Sequence, residues 1–310
     1  MKITYLIFAH NNLPQLQRLI MQLNAENVDF FCHIDAKCSE DYSFLLQHDN
    51  VQICEQRHSI DWGGITQVQA LLACCRELCM KYGDGEKRMV CLLSGYDYPI
   101  KSNEYIYNYF SIHYKLNFIS AIPIPNPRSN WTDHGRRRIE CYAVRLGPRA
   151  IATIEPKSFN YTNMRQLAKV AYYNPRMLFK ALSKLFAARR VHPDGLQPYG
   201  GGFWWALPLE SIENLLSYVD EHPEFLEYHR NTSNPDELFF QTLVYNLFPK
   251  EYIADNCLRW VNWKGGVSPQ NISLCDKRKL QVVSLKKDIL FVRKVADGEV
   301  SAYINSLINT

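Results

Sequence analysis

The segment Ser233-Asn234-Pro235-Asp236-Glu237-Leu238 sets two neighbouring carboxylates where a helix should begin. Asn234 suits an N-cap, Pro235 a first helical position, and Glu237 falls three residues after the cap. Glu237 then either closes a capping box or stands ionised at a helix N-terminus, aimed at a cleft as a general base must be. Upstream runs Gly200-Gly201-Gly202-Phe203-Trp204-Trp205. Its glycines let backbone approach a ligand, and its paired tryptophans offer an apolar wall for a sugar ring. The plainer alternative is a glycine-rich turn leading into a buried strand. Near the C-terminus, Leu290-Phe291-Val292-Arg293-Lys294-Val295 puts two cations in an apolar strand-like run. One of an adjacent pair points inward and needs an anion, for which phosphate is a good candidate; otherwise the run is a strand with lysine at a sheet edge.

Other chemistries lack their residues. No GxGxxG follows the first strand-like run and no GxxxxGK[ST] occurs, so dinucleotide and P-loop readings fail. There is no DxD, and Asp84-Gly85-Glu86 precedes a strand instead of following one. His33 and Asp35 share a strand face, but two ligands do not make a metal site. No metal is expected. A carboxylate pair of Asp97 with Asp236 or Glu237 leaves a glycosidase as a rival enzyme class, and a sugar-binding protein without turnover is the non-enzymatic rival.

These residues need a scaffold to bring them together. Strand-like runs at Ile3–Ala9, Val28–Asp35, Val51–Cys54 and Met89–Ser94 alternate with helical patterns. Asn12 is placed to cap a helix carrying Pro14 in its first turn, with Leu16, Leu19, Ile20 and Leu23 inward. An apolar stripe from Ile65 to Tyr82 predicts another, ended by Gly83. This βαβ rhythm predicts an α/β fold: a mixed, mostly parallel sheet flanked by helices. Ligands bind beyond the carboxyl ends of such strands, where His10, Asp35 and Ser94-Gly95-Tyr96-Asp97 fall.

Residues 123–198 break the rhythm with Pro123, Pro125, Pro127 and Arg136-Arg137-Arg138. They read as an irregular, partly helical insertion within one domain spanning 1–310, between a first half at 1–122 and a second at 199–310. Arg176–Arg190 predicts a helix with Arg176, Lys180 and Lys184 on one side and Leu178, Leu182, Leu185 and Phe186 on the other. Such a helix fits an anionic membrane surface, or simply a solvated face over a packed one.

Composition sets the outer bounds. A chain of 310 residues that is 47% hydrophobic can bury a full core, which excludes disorder and small disulfide scaffolds. A formal charge of +4 argues against a nucleic-acid coat protein. The run Ile3–Ala9 is interrupted by Thr4 and precedes no small-residue cleavage site, so it reads as a strand, not a leader. No apolar stretch approaches the ~20 residues of a membrane span. The expected location is cytoplasmic, at the inner face of the membrane if the basic helix docks there. Ten cysteines without a CxxC pair are expected to be buried free thiols. The sequons at Asn130, Asn160, Asn231 and Asn271 matter only in an exported chain.

Several blocks in order carry a family likeness. They are Ile3–His10, His33-Ile34-Asp35, Arg57, Trp62-Gly63-Gly64, Leu92-Leu93-Ser94-Gly95-Tyr96-Asp97-Tyr98-Pro99-Ile100-Lys101-Ser102, Gly201–Leu207, Pro235-Asp236-Glu237 and Leu290–Lys294. Together they resemble the core-2/I-branching β-1,6-N-acetylglucosaminyltransferase family, which includes peptide O-xylosyltransferases. Between about 125 and 195 no block matches. The family has Gly-Ser where this chain has Gly201-Gly202, so one side-chain hydroxyl contact is missing. The resemblance implies a GT-A-like fold, a UDP-sugar donor (UDP-N-acetylglucosamine first, UDP-xylose as the alternative), inversion at the anomeric carbon, no metal or other cofactor, and a glycan or lipid-linked glycan acceptor. Nucleic acid is not an expected partner. It implies Glu237 as general base and Lys294, with Arg293, at the diphosphate. It puts His10 and Asp35 near the uridine, Arg57 near the donor, and Asp97, Trp204, Trp205 and Asp236 on the acceptor side.

Overall fold

Strand β1 (Lys2–Ala9) is apolar at almost every position because both of its faces are covered. The computed structural model describes residues 1–310 except Asp84, Asn130, Arg149, residues 264–268, Thr310 and the side chain of Asp194. The sequon at Asn130 and the acidic start of Asp84-Gly85-Glu86 thus lie outside the described residues.

After β1 come α1 (Leu13–Leu23), β2 (Val28–Ile34), β3 (Val51–Ile53), α2 (Ile65–Tyr82), β4 (Arg88–Ser94), β5 (Asp97–Pro99), α3 (Asn103–Ile112) and β6 (Asn117–Pro123). In α1, Leu13, Leu16, Leu19, Ile20 and Leu23 are buried, each contributing about 1.5–3 kcal/mol of transfer free energy. Asn12 does not cap this helix. It sits at φ 53° in the left-handed region, and the Glu40 carboxylate instead accepts from the Asn12 and Leu13 amides at 2.8 and 3.0 Å. A charged cap from a distant loop replaces the local one. Helix α2 ends at Gly83, where a Cβ would meet Cys79 O at 2.5 Å.

The insertion holds α4 (Arg136–Glu140), β7 (Tyr142–Gly147), β8 (Ala150–Ile154), α5 (Tyr161–Tyr173) and α6 (Leu178–Leu185). It is more regular than its prolines predict. Strands β7 and β8 pair antiparallel, and Val144, Leu146, Ala152, Ile154, Val170, Ala181 and Leu185 form a small core of their own. The helix expected over 176–190 is only α6, preceded by a 3-10 turn. Its expected end fails because Arg190 is drawn inward: the guanidinium donates to the carbonyls of Arg138, Cys141 and Tyr228 and to Thr232 Oγ1.

The remaining elements are β9 (Tyr199–Pro208), α7 (Leu209–Glu221), α8 (Pro223–His229), α9 (Phe239–Leu247), β10 (Ile253–Ala254), β11 (Arg259–Val261), α10 (Lys277–Ser284), β12 (Phe291–Arg293) and α11 (Gly298–Ile308). Among the described residues, seven strands form the main sheet in the order β10-β6-β9-β4-β1-β2-β3. Every pairing in it is parallel except the two made by β9. This is the mixed, mostly parallel α/β architecture the sequence predicts, with one apolar core on each face of the sheet. A second sheet, β11-β12-β5, stands over the carboxyl ends of β1 and β4 and opposes Arg293 to Asp97 in register. The cysteines are free thiols and mostly buried, though Cys275 is exposed.

Candidate active site

The Pro235–Glu237 segment is a single 3-10 turn, and α9 begins only at Phe239. Asn234 adopts φ 52° and ψ 60° and its side chain caps nothing. The capping-box reading of Glu237 therefore fails. Its Oε2 accepts from Arg138 Nη1, and no described residue donates to Oε1. The Arg138 guanidinium lies 3.7 Å from the ring centre of Trp131, a cation–π contact that fixes its direction.

Local geometry explains the glycines around this turn. The Asn234 amide donates to Gly63 O at 3.1 Å. Gly63 has φ 66°, and a Cβ there would stand 2.9 Å from Ile151 Cδ1 and 3.3 Å from Asn234 Oδ1. Trp62-Gly63-Gly64 is thus the corner on which the Glu237 turn rests, and only glycine leaves room for it. Gly201 meets β6 so closely that a Cβ would fall 1.9 Å from Ser120 O. Gly202 has open space at its Cβ position, and its carbonyl accepts from Gln241 Nε2 of α9 at 2.6 Å. The Glu237 turn also packs on β9.

Asp236 does not reach an acceptor-side surface. It is 8% exposed and its Oδ1 has no partner. Burial first, then the neighbouring Glu237, push its pKa up to about 7, against a backbone hydrogen bond and Arg138. The tryptophan wall is corrected as well. Side chains alternate along a strand, so Trp205 is fully buried, 5.7 Å from the Phe240 ring, while Trp204 faces the other way and is half-buried. Trp204 carries two guanidiniums, Arg293 at 4.2 Å and Arg259 at 5.0 Å from its ring centre.

Asp97 is the anion that holds this pair, not an acceptor contact. It is fully buried; Oδ1 accepts from Arg259 Nε at 3.1 Å, and Oδ2 from Arg293 Nη1 at 3.2 Å and the Ser94 amide at 2.6 Å. The inward cation of the Leu290–Lys294 run is therefore Arg293, and its first partner is a carboxylate of the same chain. Burial lowers the Arg293 pKa, Asp97 opposes the shift, and Arg259 adds to it. Two guanidiniums on one carboxylate leave an excess positive charge at the carboxyl ends of β1 and β4.

His10 lies at that edge, its ring 6.0 Å from Tyr96. Its pKa is lowered, by partial burial first, with Asp35 opposing and Arg293, Lys294 and Lys37 reinforcing. His10, Asp35, Arg293 and Lys294 are therefore electrostatic neighbours. Asp35 is buried, and its carboxylate accepts from the Lys37 and Ile60 amides at 2.8 and 3.2 Å. The Arg57 guanidinium donates to the carbonyls of Ile34, Asp35 and Cys38, so it braces the loop behind Asp35. Among the described residues no three His, Cys, Asp or Glu side chains gather as metal ligands would.

Sequence reasoning missed Arg259, Trp131 and the role of Arg138. The Arg136-Arg137-Arg138 cluster was the one visible signal, and nothing local in it singles out Arg138.

The chain is similar to several known proteins. Rat xylosyltransferase 1 is 23% identical over 271 residues, which is 84% of this chain and 28% of that protein. Human xylosyltransferase 2 is 24% identical over 316 aligned positions, 94% of this chain and 32% of that protein. The chain thus spans about a third of the length of these curated relatives. Among solved structures, apo mouse xyloside xylosyltransferase 1 aligns over 94% of this chain and 96% of its own, with a TM-score of 0.36 and 10% identity. The profile of the family described as Core-2/I-Branching enzyme matches residues 3–285, so the chain belongs to the core-2/I-branching enzyme family, a family of glycosyltransferases.

Proposed function

We propose that this chain is an inverting, metal-independent glycosyltransferase with a GT-A-like fold that moves a sugar from a UDP-sugar to a glycan hydroxyl. One observation carries the reading: strand β9 joins a carboxylate to a cation cluster. The Glu237 turn packs on it, the open Gly202 position lies along it, and Trp204 stacks on Arg259 and Arg293.

The chemistry follows from where charge moves. Glu237 Oε1 takes the proton of the acceptor hydroxyl as its oxygen attacks C1 of an α-linked sugar, opposite the departing UDP. The new C1–O bond forms as the C1–phosphate oxygen bond breaks, and the bonding pair leaves on the diphosphate. Arg293 and Lys294 offset that charge, with Arg259 and Asp97 holding Arg293 in place. A single displacement of this kind yields a β-linkage. His10 and Asp35 border the position assigned to the nucleoside.

N-acetylglucosamine is the donor sugar we assign first. Xylose is the second reading, favoured because the matched relatives are named xylosyltransferases. A screen of UDP-sugars in excess EDTA, monitoring UDP release with a glycan acceptor, tests the assignment. Turnover with one UDP-sugar is expected. Glycan hydrolysis without nucleotide would replace it with a glycosidase, and turnover restored only by manganese would remove metal independence. The setting we propose is cytoplasmic.

A further inference from the structure

Helix α6 has two apolar edges, and the small core uses only one. Ala181 and Leu185 are buried against β7, β8 and α5, while Phe179 is 84%, Leu182 37% and Phe186, just past the helix, 68% exposed. Phe179, Leu182 and Phe186 follow the i, i+3, i+7 spacing of a single helical stripe. Phe159 extends the ridge: it is 68% exposed, and its ring lies 5.9 Å from Phe186. The link is built in, because the Lys157 amide donates to Leu185 O at 2.7 Å, tying this segment to the helix end. Apolar side chains gathered in this way on a surface mark a contact site.

The segment that carries the ridge is one-sided in charge, although Glu155 just before it accepts from Asn160. Between Pro156 and Pro193 lie eight of the chain's 35 Lys and Arg and none of its 31 Asp and Glu. Lys157, Arg176, Lys180 and Arg189 are exposed: Lys157 lies two residues from Phe159, Arg176 in the turn before the helix and Lys180 on it, while Arg189 lines a groove with Glu224 and Glu227. We propose that this surface, with Phe159, Phe179, Leu182 and Phe186 at its centre, docks on the headgroup region of an anionic lipid bilayer. Both features select that occupant. A soluble polyanion needs the charge but not the phenylalanines, and a neutral bilayer needs the phenylalanines but not the charge.

The docking unit is joined to the Glu237 turn. Ile151 of β8 abuts Gly63, and Arg138 of the same insertion holds Glu237. Docking would present the cleft to a glycan carried on lipid. That consequence rests on the proposed transfer reaction; the docking itself does not.

Sucrose-loaded vesicles provide the test, with the full chain and no donor present. Vesicles of phosphatidylcholine mixed with phosphatidylglycerol should sediment the protein, and vesicles of phosphatidylcholine alone should not. The pair Phe179→Ser with Phe186→Ser, and separately Arg176→Gln with Lys180→Gln, should each lower partitioning by about tenfold or more. The unfolding midpoints should hold, because all four side chains are exposed. No sedimentation with either vesicle, or equal sedimentation with both, would overturn the proposal. So would binding to anionic vesicles and heparin alike that the serine pair leaves intact, since that describes a general polyanion site.

Discussion

Arg138, on α4 of the insertion, donates to the carboxylate of Glu237, on the turn before α9. The contact ties the 123–198 insertion to the proposed base. It occupies Oε2, and no described residue donates to Oε1. Glu237→Gln should retain UDP affinity and lower turnover by about 10²–10⁴-fold. Arg138→Gln should lower turnover by about tenfold through misorientation of Glu237, again with UDP affinity unchanged. Single-turnover product formation together with UDP titration separates the two effects. Near-normal turnover by Glu237→Gln would remove it as the base.

Asp236 should impose a pH dependence on stability. Its folded pKa of about 7 lies above the ordinary carboxylate range, so the folded state holds a proton that the unfolded state has lost. Stability from this group is complete below about pH 4 and declines as pH rises toward 7, after which it is flat. Asp236→Asn should therefore gain stability over wild type across that window, by a few kcal/mol at most. Parallel thermal melts from pH 4 to about 8 measure the difference; curves that stay parallel would show that Asp236 ionises normally.

Asp97 is the shared anion of two guanidiniums, and its removal leaves both without a carboxylate in a buried setting. Asp97→Asn should cost about 3–5 kcal/mol. Urea unfolding measures this. A loss under about 1 kcal/mol would mean the cluster is hydrated and the ion pairs are weak.

The two glycines before Phe203 should behave differently. Gly201→Ala drives a Cβ into Ser120 O and should cost on the order of 3 kcal/mol. Gly202→Ser enters open space and should stay within about 0.5 kcal/mol of wild type. Melting midpoints of the two variants test the contrast, and equal losses would show that β6 and β9 can part enough to admit a methyl group at Gly201.

Much of this molecule is written locally. The strand runs, the α2 stripe and its glycine stop depend on side chains a few positions apart, and periodicity alone reveals them. The ordered motifs likewise identify the family, because Trp62-Gly63-Gly64, Ser94–Pro99 and Pro235-Asp236-Glu237 survive as contiguous words. Yet Asn12 and Asn234 both look like helix caps and neither is one. A cap is decided by whichever acceptor arrives, and Glu40 arrives from elsewhere in the chain.

The site belongs to the other category. Strand alternation separates Trp204 from Trp205, but only sheet packing decides which of them is buried. Arg138 and Glu237 are 99 residues apart, Arg259 and Asp97 162, and Arg293 and Asp97 196. Pairs this distant carry no local signature, because the cost of burying each charge is set by its partner and not by its neighbours in sequence. Residue types and motifs name candidate chemistry in advance; which carboxylate stays partly open to solvent, and which is sealed beneath two arginines, is decided only when the sheets close.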